Sequence, residues 1–354
     1  MKTIQRVPGG ESSLSPASYQ SFEDAYVDVL RYVADDHQFV NAPRGNASRE
    51  CIGASFQLSD PRARLPFIAA RKANPVYNLG EVLWYLSGRE DLGMISYYAP
   101  LRRAGTSFGI PVDEGAYGSR IFRDASDGSP STFTKVIERL RSEDDSKRAL
   151  LPVFTAADLN DPDSPSVPCL LALHLLLREG QLHMVTYMRA NDADRGLLAD
   201  VFSFTFIQEF AARLLGVELG TYTHHVGSLH VGEQDLPRVR RVLGEAEEPS
   251  FSHNRFSMAA MPTDTGWGVI KVLLEIEEGL RANAAQYSPA AVTALGLDPY
   301  WQQVVLLLEG YRQIVHCTAD PVEAQILDAL DPGYRWLLEH RWPERMPQSA
   351  AGSR

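Results

Sequence analysis

Cysteine is scarce in this chain. The three present, Cys51, Cys169 and Cys317, lie far apart. Such spacing builds no disulfide framework and supplies no CxxC pair for zinc. It points to a reducing, cytoplasmic compartment. No apolar run approaches the ~18 residues that span a bilayer. The opening segment, MKTIQRVPGGESSLSPAS, has none of the apolar stretch that marks a secretory signal. Positive charge is also short: 34 Lys and Arg face 45 Asp and Glu, a formal net charge of −11. That balance disfavours nonspecific binding to nucleic acid or to an anionic membrane. It leaves room for one small phosphorylated ligand held by a few local arginines. Metal-site spacing is missing as well. THHVGSLHVGE carries His224, His225 and His230, yet no HExxH or facial-triad pattern. An alternating strand with polar histidines is the expectation, and no metal.

What is plentiful is core material. Hydrophobic residues make up 44% and charged residues 22%, the balance of a globular protein. Residues 1–20 read as a polar, mobile lead-in. Apolar spacing predicts a helix over 21–32. RECIGASFQLSDPRARLPFI reads as strand, turn, strand. YNLGEVLWYLSG reads as a helix closed by Gly88, and Thr134–Leu140 as another. KRALLPVF is a short strand. LALHLLL and QLHMVTYMRA, joined at REG, read as a hairpin. Residues 201–215 form an apolar helix stopped by Gly216. Beyond about residue 264 the pattern is helical. The fold class is mixed α/β (α+β), with a catalytic unit over 21–245 and a mostly helical C-terminal extension over 246–354, packed on the same domain.

Chemistry-bearing residues cluster in a few places. Cys169 sits in SVPCLLAL, between a proline-rich loop and an apolar strand. A lone cysteine there is usually a small buried hydrophobe; a nucleophile needs positive charge to hold the thiolate. Arg189, Lys147 and Arg148 are candidates for that charge. MRANDADRG, followed by Asp200, packs charges between a strand and a helix, a frequent place for a site. Arg44, in APRGNASRE, is either a surface arginine or a phosphate clamp. Glu81 lies among Leu79, Val82, Leu83 and Trp84. Periodicity alone does not decide between a buried, perturbed carboxylate and an exposed one.

In order, these segments resemble the thymidylate synthase family. VPC resembles its nucleophile motif, and EVLWYLSG its glutamate-bearing helix. AYGSRIFR resembles its tyrosine–glycine segment. DSKR resembles its partner-subunit phosphate arginines. YMRANDADRGLLADVFSF resembles the segment leading to its base-reading helix, and VGSLHV its sugar-binding strand. The resemblance runs from about Arg44 to about Asp235 and implies a thymidylate synthase-like mixed sheet with packed helices. It implies that Cys169 adds to C6 of a pyrimidine, that Glu81 relays protons through water, and that Tyr117 helps remove the C5 proton. Arg44 and Arg189 would hold the phosphate, with Lys147 and Arg148 reaching in from the second subunit of a homodimer. Asp192 would orient the co-substrate, 5,10-methylenetetrahydrofolate, and His230 would contact the ribose.

Departures from the family pattern bear on the substrate. Asp200 stands where thymidylate synthases carry asparagine. An amide donates to uracil O4 and accepts from N3–H; an ionised carboxylate only accepts. Cytosine offers a 4-amino donor instead. The relatives with aspartate here are deoxycytidylate hydroxymethylases, in which water captures the exocyclic methylene. Ala190 replaces a phosphate-contacting serine, Lys147 an arginine, and Gly232 a ribose-contacting tyrosine. Those changes would admit a ribose 2′-hydroxyl, as in the CMP 5-hydroxymethylases of nucleoside-antibiotic biosynthesis. The family's folate-lining tryptophans are not evident around residues 95–116. The expected activity is therefore hydroxymethyl transfer to C5 of CMP. Alternatives are dCMP hydroxymethylation, thymidylate synthesis, a cysteine hydrolase, and a non-catalytic nucleotide-binding dimer.

Overall fold

A computed structural model describes residues 14–99, 116–160 and 167–347. Among them a seven-stranded mixed sheet forms the spine. The chain enters through β1 (Ala17–Tyr19), α1 (Phe22–Asp35), β2 (Phe39–Asn41) and β3 (Ser48–Leu58). It continues with α2 (Pro75–Leu86), α3 (Leu92–Tyr98), α4 (Tyr117–Phe122), α5 (Thr132–Ser142) and β4 (Leu150–Pro152). Then come β5 (Leu170–Arg178), β6 (Gln181–Asp192), α6 (Gly196–Leu215), β7 (Glu218–Gly232) and α7 (Leu236–Ala246). The last third holds α8 (Trp267–Arg281), α9 (Pro289–Ala294), α10 (Pro299–His316), α11 (Ala324–Ala329) and α12 (Pro332–Arg341).

The strand order is β1-β3-β7-β6-β5-β4, with β2 antiparallel to β3. β5 and β6 form the expected hairpin. Its turn places Glu179 and Gly180 at φ of 50° and 76°, the left-handed pair that a two-residue hairpin turn requires. β6 and β7 run parallel, so a crossover must join them. That crossover is α6, buried over most of its length and ended by Gly216 in the left-handed region. The expected second strand after residue 58 does not form. Pro61 and Pro66 lack the N–H a ladder needs, and the Phe67 N–H goes to the buried Glu23 carboxylate at 2.6 Å.

Helices cover one face of the sheet. On β6, Leu182, Met184, Thr186 and Met188 are buried under them, while Val185, Tyr187 and Arg189 look the other way. Tyr187 there stacks on His225 of β7. The C-terminal helices close on the opposite, helical side. The Tyr98 hydroxyl donates to Glu277 of α8 at 2.7 Å, and Tyr311 of α10 donates to the Tyr97 carbonyl at 2.9 Å. Their apolar residues join the same core as the sheet. A buried ion pair, Arg64–Glu209, ties the loop after β3 to α6. Glu209 also accepts the Met261 N–H at 2.8 Å.

Candidate active site

The site forms where α2, α4, the start of β5 and the start of α6 converge. α2 begins at an Asn74 cap followed by Pro75 and is apolar on almost every side. Glu81 is pulled into that interior, only 2% exposed. Tyr77, one turn earlier, donates its hydroxyl to Oε1. Ser203 of α6 donates to Oε2 at 3.3 Å. The ambiguity of Glu81 thus resolves as a buried carboxylate held by hydroxyls.

Tyr117 opens α4 and stacks on Tyr85 of α2, with ring centroids 5.6 Å apart. Gly118 makes that approach possible: α4 lies so close to the Tyr85 backbone that no side chain fits between them. Burial pushes the Tyr117 phenol well above its usual range. The charges that add to this are Asp200, Cys169 and Glu81. Asp200, Cys169 and Glu81, distant in sequence, therefore all lie near enough to Tyr117 for their charges to act on it. A phenol so placed keeps its proton at neutral pH and acts as a hydrogen-bonding group.

Cys169 is half-buried at the mouth of β5. The Arg189 N–H donates to the Cys169 carbonyl at 2.9 Å. The Arg189 guanidinium donates to the carbonyls of Pro168 at 2.9 Å and Val167 at 2.7 Å. Arg189 thus braces the VPC segment that carries Cys169. Lys147 and Arg148 do not join this cluster within the chain. They are exposed on the turn before β4. Leu175 donates to the Ala149 carbonyl, which places the pair roughly 20 Å along β5 from Cys169 at ~3.3 Å per residue. Arg44 lies on a short 3-10 turn, Pro43–Gly45; its side chain lies outside the described residues, as do residues 100–115.

Asp192 ends β6. Its Oδ1 accepts the N–H groups of Asp194 and Arg195, both at 2.9 Å, and so shapes the turn into α6. Burial raises its pKa. His230 pairs with it across the ladder. Ala190 lies opposite Ser228. Gly232 leaves less space than expected from its lack of a side chain. A Cβ there would meet Gln234 Nε2 at 2.8 Å and Asp235 Oδ2 at 3.3 Å, so neighbouring side chains already occupy that volume.

Asp200, in the first turns of α6, accepts from Asn191 Nδ2 at 2.6 Å. Sequence reasoning did not single out Asn191 although it lies within MRANDADRG. Nor did it find Tyr77, whose spacing four residues before Glu81 was legible, or Ser203, which only tertiary packing delivers. A separate cavity of about 380 Å³, lined by Tyr19, Tyr32, Phe56 and Leu229 among others, holds none of these groups. Among the described residues no cluster of His, Cys, Asp or Glu could hold a metal, and no helix is long and apolar enough to cross a membrane.

The sequence profile described as thymidylate synthase matches residues 24–261. This chain belongs to the thymidylate synthase family. The convergence of Cys169, Glu81, Tyr117 and Asp200 falls wholly inside the matched span. Curated family members similar to the chain include a deoxyuridylate hydroxymethyltransferase of Bacillus phage SP01, 31% identical over 219 residues. That match covers 58% of this chain and 56% of the phage protein. A deoxyuridylate hydroxymethyltransferase of Pseudomonas phage M6 is 32% identical over 196 residues, 53% of each chain. A putative thymidylate synthase of Methanocaldococcus jannaschii is 29% identical over 134 residues, 36% of this chain and 60% of that protein. The chain thus spans about half the length of the two phage relatives.

Proposed function

We propose that this protein transfers a hydroxymethyl group to C5 of CMP, through a covalent adduct between Cys169 and C6 of the base. The observation that carries the reading is the carboxylate of Asp200 standing, like Cys169 and Glu81, near enough to Tyr117 for its charge to act there. A carboxylate that accepts from Asn191 matches a base with an amino donor at C4 better than one with a carbonyl there. C5 of a pyrimidine is a poor nucleophile until a thiolate adds at C6, and covalent catalysis splits that hard step in two. Arg189 supplies the positive charge that favours the thiolate. Glu81, held by Tyr77 and Ser203, would pass protons through water to the base. Tyr117 would order the water that takes the C5 proton.

5,10-Methylenetetrahydrofolate would supply the one-carbon unit. The residues present fit it: Asp192 offers a carboxylate, beside His230, with acceptor capacity beyond the two backbone N–H groups it already serves. Ala190 and His230 would border the ribose and phosphate, and Arg44 would join Arg189 on the phosphate. A homodimer would form through the sheet face that the helices leave uncovered, where Ile52 and Tyr187 are exposed. Antiparallel and mixed sheets with an apolar open face commonly bury it against a partner. Lys147 and Arg148 would then serve the partner's phosphate site.

The named activity of the two phage relatives favours a second reading, hydroxymethylation of dUMP. Competition separates the two. The protein is mixed with methylenetetrahydrofolate and equal CMP, dCMP and dUMP, and product masses are read. A CMP product heavier by CH2O is expected. Hydroxymethylated dUMP as the main product would remove Asp200 as the selector, and a dUMP product heavier by CH2 would make the chain a synthase.

A further inference from the structure

Behind Asp200 runs a buried chain of hydrogen bonds, of which the roles above use only the link from Asn191. Asn191 Nδ2 donates to Asp200 Oδ2 at 2.6 Å. Asn191 Oδ1 faces His224 Nε2 at 3.3 Å. His224 Nδ1 faces the Tyr222 hydroxyl at 2.7 Å. Asn191 is 4% exposed, and His224 and Tyr222 are fully buried. Phe56 stacks on the imidazole with centroids 5.3 Å apart, so the ring has one position.

The direction of each link follows from the carboxylate end. An ionised carboxylate only accepts. Asn191 therefore turns its –NH2 toward Asp200 and its carbonyl oxygen toward His224. That oxygen accepts, so Nε2 of His224 carries the proton. Burial pushes His224 down to about 3, so the ring is neutral at working pH and Nδ1 is an acceptor. Tyr222 must then donate to Nδ1, and burial keeps its phenol protonated. Every donor in the chain points toward Asp200. A proton on Asp200 Oδ2 would face the Asn191 N–H. Relieving that conflict needs an amide flip, a tautomer change in His224, and a new acceptor for the Tyr222 hydroxyl. Linked bonds of this kind resist reversal together.

We propose that Asn191, locked by His224 and Tyr222, is a positioning residue that holds Asp200 as an acceptor and so sets the preference for a base bearing a 4-amino group. This rests on the reading of Asp200 as the group that contacts the base. The test measures CMP and UMP affinity of the full chain by calorimetry, without folate, from acid to neutral pH. Asn191→Leu keeps the branched skeleton of the side chain and removes the donor. It should lower the CMP-to-UMP affinity ratio by about tenfold or more, the scale of one charge-assisted hydrogen bond. It should also move the acid limb of CMP binding to higher pH, because Asp200 then loses a donor that favours its ionised form. Tyr222→Phe deletes one hydroxyl and should move both readouts the same way by a smaller factor; it serves where Asn191→Leu does not fold. Equal weakening of both nucleotides with an unmoved acid limb, in either folded variant, overturns the proposal. Asp200→Asn is the control. If it shifts the ratio toward UMP while the other two variants leave the ratio alone, only the relay falls. If Asp200→Asn leaves the ratio unchanged, the base-reading role of Asp200 fails, and the relay with it.

Discussion

Gly118→Ala adds one methyl group between α4 and α2. The new Cβ would lie 2.7 Å from the Tyr85 carbonyl carbon and nearer still to the Tyr85 Cα and oxygen. These are backbone atoms of a fully packed helix, so no rotamer change relieves the clash. Restoring ordinary contact requires α4 to back away by about 1 Å, since non-bonded carbon atoms rest near 3.5 Å. Tyr117 is the adjacent residue and moves with it. Overpacking of this kind costs about 1–3 kcal/mol. A shift of about 1 Å in a group that orders the reaction costs about 10²-fold in rate. The expected signature is therefore a modest loss of stability with a much larger loss of kcat. Thermal melts and steady-state kinetics on the same preparation read the two separately. KM for the nucleotide should change little, because Arg189 and Asp200 do not ride on α4. A variant with wild-type kcat and a lowered Tm would refute the reasoning: α4 would then pack against α2 without positioning Tyr117 for the reaction.

Three other outcomes are expected. Glu209→Ala leaves Arg64 buried without its carboxylate and the Met261 N–H without an acceptor; it should cost about 3–5 kcal/mol in denaturant unfolding, and a loss below about 1 kcal/mol would contradict the buried pair. The Asp158 carboxyl is held down at about 2, chiefly by its hydrogen bonds to Arg120 of α4. A lowered pKa contributes stability above the ordinary value near 3.8, and that contribution is lost as pH falls toward 2. The stability gap between wild type and Asp158→Asn should thus close across that window; a gap constant with pH would rule out the ion pair as its source. Alkylation followed by peptide mass mapping should modify Cys169 well before Cys51, which is fully buried and whose thiol burial pushes up. CMP should protect Cys169, and Arg189→Met should slow its labelling; faster labelling of Cys51 would show that the thiol assignment is inverted.

Much of the fold was legible because its signals are local. The hairpin turn at Glu179–Gly180, the Gly216 stop of α6 and the apolar periodicity of α8 and α10 are each set by residues a few positions apart. α3, α4 and α7 were not anticipated. α3 and α4 are short, and the apolar stripe of α7 falls among four charged residues, Arg238, Arg240, Arg241 and Glu245. The second strand expected after residue 58 failed for a local and a nonlocal reason: Pro61 and Pro66 cannot donate to a ladder, and the Phe67 N–H finds Glu23 on α1.

The sequence by itself determined the candidate groups. Cysteine after a proline loop, arginine on the neighbouring strand, and aspartate at the head of an apolar helix are readable as residue types in order, since chemistry belongs to the side chain. Only the tertiary structure decided their states. Glu81 became a buried carboxylate because α2 is enclosed and Tyr77 and Ser203 supply hydroxyls. Lys147 and Arg148 were carried roughly 20 Å from Cys169 because antiparallel pairing runs them along β5. Asp200 acquired its donor chain because β6, β7 and α6 meet there. Burial and hydrogen-bond direction arise from contacts between segments, and such contacts leave no pattern in any one of them.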